Sequence, residues 1–318
     1  MSKTILVTGG AGFIGSNLIE QLVKDPTNRV FSLDNYSTGR KENHIKGASY
    51  IEGDTNDIEK ILKHPLPTSP SKEGEEQAVK PDLVFHLGEY ARVEKSFEDM
   101  PLVWRSNMNG SFAVLEFCRR HNCKLVYAGS STKFGLPADL PVRGTQAGAS
   151  AQGGDNGLGR AQSPYAWSKA SNTELVQNYG AWFGLKYAIT YFYNVYGPRE
   201  LAGSFGTVIE IFRQARLRGK PLTVVAPGSQ RRIFTHVDDI VRGLVLVGEK
   251  GEGDGYGLGA EEEYSILEIA EFFGGKIEML PERKGNRMFS SIDLSRSRDE
   301  LGWRAKESIK RYIAGFRR

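Results

Sequence analysis

Thr4-Ile5-Leu6-Val7-Thr8-Gly9-Gly10-Ala11-Gly12-Phe13-Ile14-Gly15 decides the fold. An apolar run of β character enters a glycine turn and leaves as an apolar helical pattern through Leu18 and Ile19. That strand, turn and helix is the context in which glycines at this spacing bind a dinucleotide. Gly9 suits a tight turn with positive φ. Gly12 leaves room for a pyrophosphate to approach the backbone, and Gly15 lets the helix pack close. The N–H groups at Phe13, Ile14 and Gly15 then face the phosphates from the positive end of the helix dipole.

Working outward, a second apolar run from Arg29 to Leu33 ends in Asp34, roughly twenty residues past the glycines, where an acid accepts the adenosine ribose hydroxyls. It would repel a 2′-phosphate, so the expected cofactor is NAD rather than NADP, although Arg40 nearby blunts that preference. Asp34 also reads as a plain turn former in Asp-Asn-Tyr-Ser-Thr-Gly. Asp54, in Gly53-Asp54-Thr55, is either a neighbour of the adenine amino group or another turn aspartate.

Apolar runs suited to buried parallel strands recur at Ile5–Val7, Val30–Leu33, Ser49–Ile51, Leu83–Leu87, Leu125–Tyr127 and Tyr187–Tyr191. Helical patterns at Ile14–Lys24, Asn107–His121 and Tyr165–Phe183 separate them. Alternation of this kind predicts an α/β fold with a doubly wound parallel, Rossmann-type sheet. Residues 1–191 are expected to form the NAD-binding domain, with parts of 232–260 returning to it. Residues 192–318 are expected to form a smaller α/β substrate lobe, containing helices at Val208–Leu217 and Ile240–Val247 and a strand at Leu222–Val225. Pro65, Pro67 and Pro70 mark an irregular insertion, and a Gly-, Ala- and Gln-rich loop runs from Pro137 to Ser163.

Composition narrows the class. The chain has 318 residues, enough for two domains or one large α/β unit, and a net charge of only +4, which does not argue for nucleic acid. No apolar run is long enough to cross a bilayer, and Met1-Ser2-Lys3 leads straight into a strand, so neither a membrane span nor a signal peptide is expected. The two cysteines, Cys118 and Cys123, lack the count and spacing of a zinc site and read as free thiols in a reducing compartment. The expected location is cytoplasmic.

Tyr165-Ala166-Trp167-Ser168-Lys169 opens a helix after Pro164. Residues four apart share a helix face, so Lys169 can approach both the Tyr165 phenol and a nicotinamide ribose. A nearby cation favours the phenolate, which can take a proton from a sugar hydroxyl as hydride leaves the same carbon. Upstream, the strand ending at Ala128 runs into Gly129-Ser130-Ser131-Thr132, placing hydroxyls where a substrate crevice opens. Ser130 can bond the reacting hydroxyl and Thr132 can help position it.

With these pieces the chain resembles the extended short-chain dehydrogenase/reductase family, specifically its NAD-dependent nucleotide-sugar epimerases and dehydratases. The matching segments are Thr8–Gly15, Asp34-Asn35, Phe85-His86-Leu87, Asn107–Ser111, Ser130–Gly135, Tyr165–Lys169, Asn194–Arg199, Arg232–Asp239 and Leu301-Gly302-Trp303. The resemblance implies tightly held NAD, Asn107 near it, and Ser130, Tyr165 and Lys169 in catalysis. Asn35, Thr55 and Leu87 join the expected cofactor contacts. It also implies that Asn194, Arg232 and Arg283 contact the nucleotide diphosphate of a UDP- or GDP-sugar; Arg199 and Ser131 complete the expected substrate set. A homodimer through helices at Phe112–Cys118 and Leu175–Trp182 is implied as well, although apolar faces there serve equally as intrachain core.

Dehydratases of the family carry an Asp-Glu pair just after the catalytic hydroxyl; here Ser131 and Thr132 stand there. The reading is therefore a nucleotide-sugar 4-epimerase. The alternatives are a 4-dehydrogenase releasing a keto product and a non-catalytic NAD-binding module. Gly88-Glu89-Tyr90 departs from the family's small residues. Glu89 can bind a substrate hydroxyl, act as an extra acid/base, or form a salt bridge with Arg92 or Lys95.

Overall fold

The computed structural model describes residues 2–63, 79–130, 163–203, 206–281 and 293–316. Ser131, Thr132 and Arg283, the Pro65–Gly74 insertion and nearly all of the Pro137–Ser163 loop lie outside the described residues.

The chain begins with β1 (Thr4–Thr8), α1 (Phe13–Leu22), β2 (Arg29–Asp34), β3 (Ala48–Glu52), α2 (Ile58–Lys63) and β4 (Leu83–His86). It continues through α3 (Met100–Val103), α4 (Gly110–His121), β5 (Lys124–Ala128), α5 (Pro164–Phe183) and β6 (Tyr187–Phe192). Then come β7 (Val195–Tyr196), α6 (Val208–Leu217), β8 (Leu222–Val225), β9 (Arg231–Ile233), β10 (Thr235–His236), α7 (Val237–Lys250) and β11 (Gly253–Leu258). Last are β12 (Glu263–Ser265), α8 (Ile266–Phe273), β13 (Ile277–Leu280), α9 (Ser295–Leu301) and α10 (Ile309–Ala314).

Seven strands form one sheet in the order β11-β6-β5-β4-β1-β2-β3. All its neighbours are parallel, which is the doubly wound sheet expected. Alternate side chains feed opposite layers, as a strand's two-residue period requires. Ile5 and Val7 pack with Leu18, Phe85, Val126, Leu244 and Trp303. Leu6 packs on the other face with Phe31, Leu33, Val114, Phe117 and Val176. A third core, built on Phe212, Val224, Phe234, Ile269, Phe273 and Ile313, joins α6, β8, α8 and α10. The strand order reverses between β1 and β4, and the crevice beyond their carboxyl ends is where such sheets bind ligands.

Several boundaries differ from the sequence reading. The helix expected from Asn107 begins as a π-turn over Trp104–Asn109 and becomes α4 only at Gly110. Asn172 Nδ2 donates to the Asn107 carbonyl at 2.7 Å, taking an acceptor away from the regular ladder. The helix expected at Ile240–Val247 is α7, which starts at Val237 because His236 caps it, Nδ1 accepting from the Asp238 N–H at 3.2 Å. β11 was not expected: its Gly253, Gly255 and Gly257 hide a strand that bulges between Gly253 and Tyr256.

Candidate active site

The glycine turn is shaped by close approach. Gly9 has φ +71°, and its N–H donates to the Leu33 carbonyl at 2.9 Å. A Cβ on Gly15 would lie 2.1 Å from the Gly9 oxygen, and one on Gly10 would lie 2.4 Å from Ser32 Oγ. Gly10 is therefore as constrained as the others, which the spacing alone did not reveal. Gly12 is the N-cap of α1 and supplies no capping side chain. The first N–H groups of α1, at Phe13, Ile14 and Gly15, thus start at the sheet's carboxyl edge without a side-chain acceptor, suited to an anion.

Asp34 ends β2 beside this turn. Its oxygens accept from the Ala11 N–H at 2.9 Å and the Tyr36 N–H at 2.8 Å, and burial pushes its carboxyl up. Each oxygen retains a lone pair for a ribose hydroxyl. Asp54 caps the short turn Thr55–Asp57 by accepting from the Asn56 N–H at 3.0 Å. It also lies 3.3 Å from Arg105 and receives Asn35 Nδ2 at 3.4 Å. Burial opposes its charge, but the Asn56 bonds and Arg105 outweigh that and hold the carboxyl below its usual range. Thr55 is buried against Gly110. The uncapped helix start, the side-chain-free turn and Asp34 fit a dinucleotide.

Beside β1, a buried chain of hydrogen bonds crosses the crevice floor. The Leu87 and Gly88 N–H groups donate to Thr8 Oγ1 at 3.2 and 3.1 Å. Thr8 Oγ1 meets His86 Nδ1 at 2.7 Å, and His86 Nε2 meets Ser111 Oγ at 2.9 Å. Ser111 donates onward to Glu89 Oε1 at 2.6 Å. These directions assign the imidazole proton to Nε2 and make Nδ1 the acceptor of the Thr8 hydroxyl. Burial pushes the His86 ring down to about 4, so it is neutral near pH 7.

Glu89 also accepts from Tyr127 at 3.1 Å and Asn172 at 2.8 Å, and its ion-pair partner is Lys169. The partner is thus an α5 lysine, in place of the Arg92 or Lys95 considered from sequence. Burial works against the carboxylate, but the lysine outweighs it and keeps the carboxyl below its usual range. Asn107 fixes the backbone around Glu89: its Oδ1 accepts from the Tyr90 N–H at 2.7 Å, and its Nδ2 donates to the Tyr90 carbonyl and Ser168 Oγ.

Ser163 caps α5, its Oγ accepting from the Ala166 N–H at 3.1 Å, with Pro164 in the first turn. This brings Tyr165, half-buried, and Lys169, buried, onto one face at the carboxyl end of β5. Lys169 Nζ donates to the Ala128 carbonyl at 2.6 Å. Tyr165 lies within electrostatic reach of Tyr127 and of Arg92. Ser130 is buried just past β5.

Asn194, at φ +34°, donates from Nδ2 to the Ile233 carbonyl at 2.9 Å. Arg232 is half-buried on β9 with Nη1 donating to the Arg231 carbonyl at 2.8 Å. Arg199 donates from its guanidinium to Asn17 Oδ1 at 2.6 Å and pairs with Glu20, both on α1. It clasps the Asn194–Arg199 turn to the first helix, where Asn17 Nδ2 also holds the Pro198 carbonyl at 3.0 Å. The sequence reading missed Glu200. Burial pushes its carboxyl up to about 7, and Oε1 accepts from the Thr207 N–H at 2.8 Å. No pattern around it signals this. Arg92, which it faces electrostatically, was considered only as a salt-bridge partner.

Comparison with known proteins places these features in context. Residues 5–259 match the model of the NAD dependent epimerase/dehydratase family. A putative UDP-glucose 4-epimerase of Methanocaldococcus jannaschii is 30% identical, over 97% of this chain and 97% of that protein. UDP-glucuronic acid decarboxylase 1 of Arabidopsis thaliana is 28% identical over 98% of this chain and 69% of its own length. Among solved structures, a Thermotoga maritima UDP-glucose 4-epimerase with UDP-glucose superposes with a TM-score of 0.83 at 27% identity, covering 98% and 96% of the two chains. A Thermus thermophilus UDP-glucose 4-epimerase in complex with NAD gives 0.80 at 30% identity, covering 99% of each. With its glycine turn, Asp34 and the Tyr165–Lys169 helix at one sheet edge, the chain belongs to the NAD-dependent epimerase/dehydratase family.

Proposed function

We propose that this protein is an NAD-dependent nucleotide-sugar 4-epimerase. The observation that carries the reading is that Tyr165, Lys169 and Ser130 come to the carboxyl end of β5, on the same sheet edge as the glycine turn after β1. UDP-sugar 4-epimerases spanning nearly the whole chain support it. Gly9, Gly12, Gly15 and the start of α1 would hold the NAD pyrophosphate, with Asp34 at the adenosine ribose. NAD supplies the hydride acceptor and donor. Tyr165 takes the proton from the sugar O4 hydroxyl as the C4 hydrogen leaves as hydride. Ser130 donates to the same oxygen, and Lys169 steadies the phenol and the nicotinamide ribose. After the keto sugar turns over, hydride returns to the opposite face of C4 and Tyr165 returns its proton. Neither step needs a further acid or base, consistent with Ser131 and Thr132 where dehydratases carry Asp-Glu.

Asn194 and Arg232 are the described candidates for the nucleotide diphosphate, since a guanidinium fork suits phosphate oxygens. Residues 192–318, excepting α7, β11 and the Leu294–Trp303 segment that packs on the first core, are assigned to this lobe. The test is to supply UDP- and GDP-hexoses, and a UDP-uronate, without added NAD. Interconversion of C4 configuration supports the reading. Accumulation of NADH with a released ketone would instead identify a 4-dehydrogenase.

We also propose a homodimer through α4 and α5. Part of the expected interface is intrachain core, for Val114, Phe117, Cys118, Val176 and Tyr179 are buried. Phe112, Trp182 and Phe183 remain 52%, 61% and 52% exposed and are left for the partner. Among the described residues, no helix is long and apolar enough to cross a membrane.

A further inference from the structure

The proposed mechanism asks Lys169 to serve both Tyr165 and the cofactor ribose, yet its ammonium is largely committed. An ammonium has three N–H donors. Two are spent inside the protein, on the Glu89 carboxylate and on the Ala128 carbonyl. At most one remains, and the ammonium also lies 4.9 Å from the centre of the Tyr127 ring. The charge is committed too, because the Lys169 and Glu89 side chains are only 6% and 3% exposed, where water screens an ion pair weakly. Ser111, Tyr127 and Asn172 all donate to Glu89 Oε1, which frees Oε2 for the lysine and prevents the carboxylate from turning away.

We propose that Glu89 is a positioning residue that pins the Lys169 ammonium at the end of β5 and cancels its charge, so that Tyr165 faces a neutral pair instead of a bare cation. The inference rests on Tyr165 as the base named above. The titratable and charged groups around the pair are few. His86 on β4 is neutral, Tyr127 on β5 donates to Glu89, and Tyr165 lies one turn back on α5. Arg92, on the loop after β4, lies within electrostatic reach of Tyr165 and of Glu200.

The experiment is a tyrosinate absorbance titration of the purified protein, with cofactor content matched between variants and the Tyr165→Phe trace subtracted to isolate the Tyr165 signal. In Glu89→Gln the Tyr165 midpoint should fall by about one pH unit, the low end of the effect of one close charge. In Lys169→Met it should rise. In Glu89→Gln/Lys169→Met it should return close to the wild-type value. A midpoint that does not fall in Glu89→Gln overturns the proposal. So does a double variant displaced as far as Lys169→Met alone. Should Glu89→Gln fail to fold, this second comparison decides, because removing both charges leaves no uncompensated buried ion. The titration needs no substrate, so it stands apart from the epimerase reading; retained turnover in Tyr165→Phe would end that reading and leave the Glu89 result intact.

Discussion

Gly15 illustrates how far single residues carry the account. A methyl group there would sit 2.1 Å from the Gly9 carbonyl oxygen, a backbone atom that cannot give way cheaply. Gly15→Ala should cost about 1–3 kcal/mol, as overpacking does, and should lower retained NAD; a melting curve and assay of nucleotide released on denaturation check this. Tyr165→Phe keeps the ring and removes the proton acceptor. Turnover should fall by roughly 10²–10⁴, the usual worth of a general acid–base, with NAD content unchanged. Glu200 supplies a pH signature. Its carboxyl is raised to about 7 in the fold, so the folded state holds a proton that the unfolded chain releases at an ordinary carboxylate value. Its stabilising contribution is complete at acid pH and is lost as pH rises toward 7, remaining absent above. Between pH 5 and 8, wild type should therefore lose more thermal stability than Glu200→Gln; equal losses would refute the assignment. At this scale the sequence was legible wherever chemistry is local. The glycine turn and the Tyr165–Lys169 pair are set by a few neighbouring dihedrals. The partner of Glu89 lies 80 residues away and those of Arg199 lie 182 and 179 away. Only the folded strand order brings such groups together, which is why the sequence did not name the partners of Arg199.

At the scale of elements, strands and helices with clean apolar periods were readable, while β11 was missed and the start of α7 was placed three residues late. β11 is half glycine, and α7 is capped by a histidine rather than a residue that announces a cap. α8 does carry such a signal. Ser265 accepts from the Glu268 N–H at 3.1 Å while Glu268 returns to the Ser265 N–H at 2.7 Å. Ser265→Ala should cost about 1 kcal/mol, measurable by denaturant titration. The segment after α9 is fastened to α7 at one residue. Asp239 accepts from the Lys306 and Glu307 N–H groups at 2.9 and 2.8 Å, and its carbonyl accepts from Trp303 Nε1 at 3.0 Å. Trp303 is 1% exposed. Trp303→Ala should destabilise by about 3–5 kcal/mol, and increased proteolysis after residue 293 would report the loosening of α9 and α10.

Across the whole molecule, the parallel sheet places the ends of β1, β2, β4 and β5 along one crevice. The cofactor turn, Asp34, Glu89 and Ser130 lie on four successive strand ends or the loops beyond them. That convergence explains why residues from four parts of the chain could be read as one candidate set, while the short strands and turns after β6 could not. The exposed aromatic side chains of α4 and α5 should hold two copies together; Trp182→Lys should shift sedimentation from dimer to monomer. The central claim is that hydrogen leaves C4 and returns to the opposite face within one closed site. A UDP-sugar carrying deuterium at C4, incubated with the purified protein in ordinary water, tests it most directly. The account predicts an epimer that keeps its deuterium at C4, with no NADH accumulating and with Tyr165→Phe forming it roughly 10²–10⁴ times more slowly. Loss of the label to solvent, or label captured in free NADH beside a ketone, would contradict it.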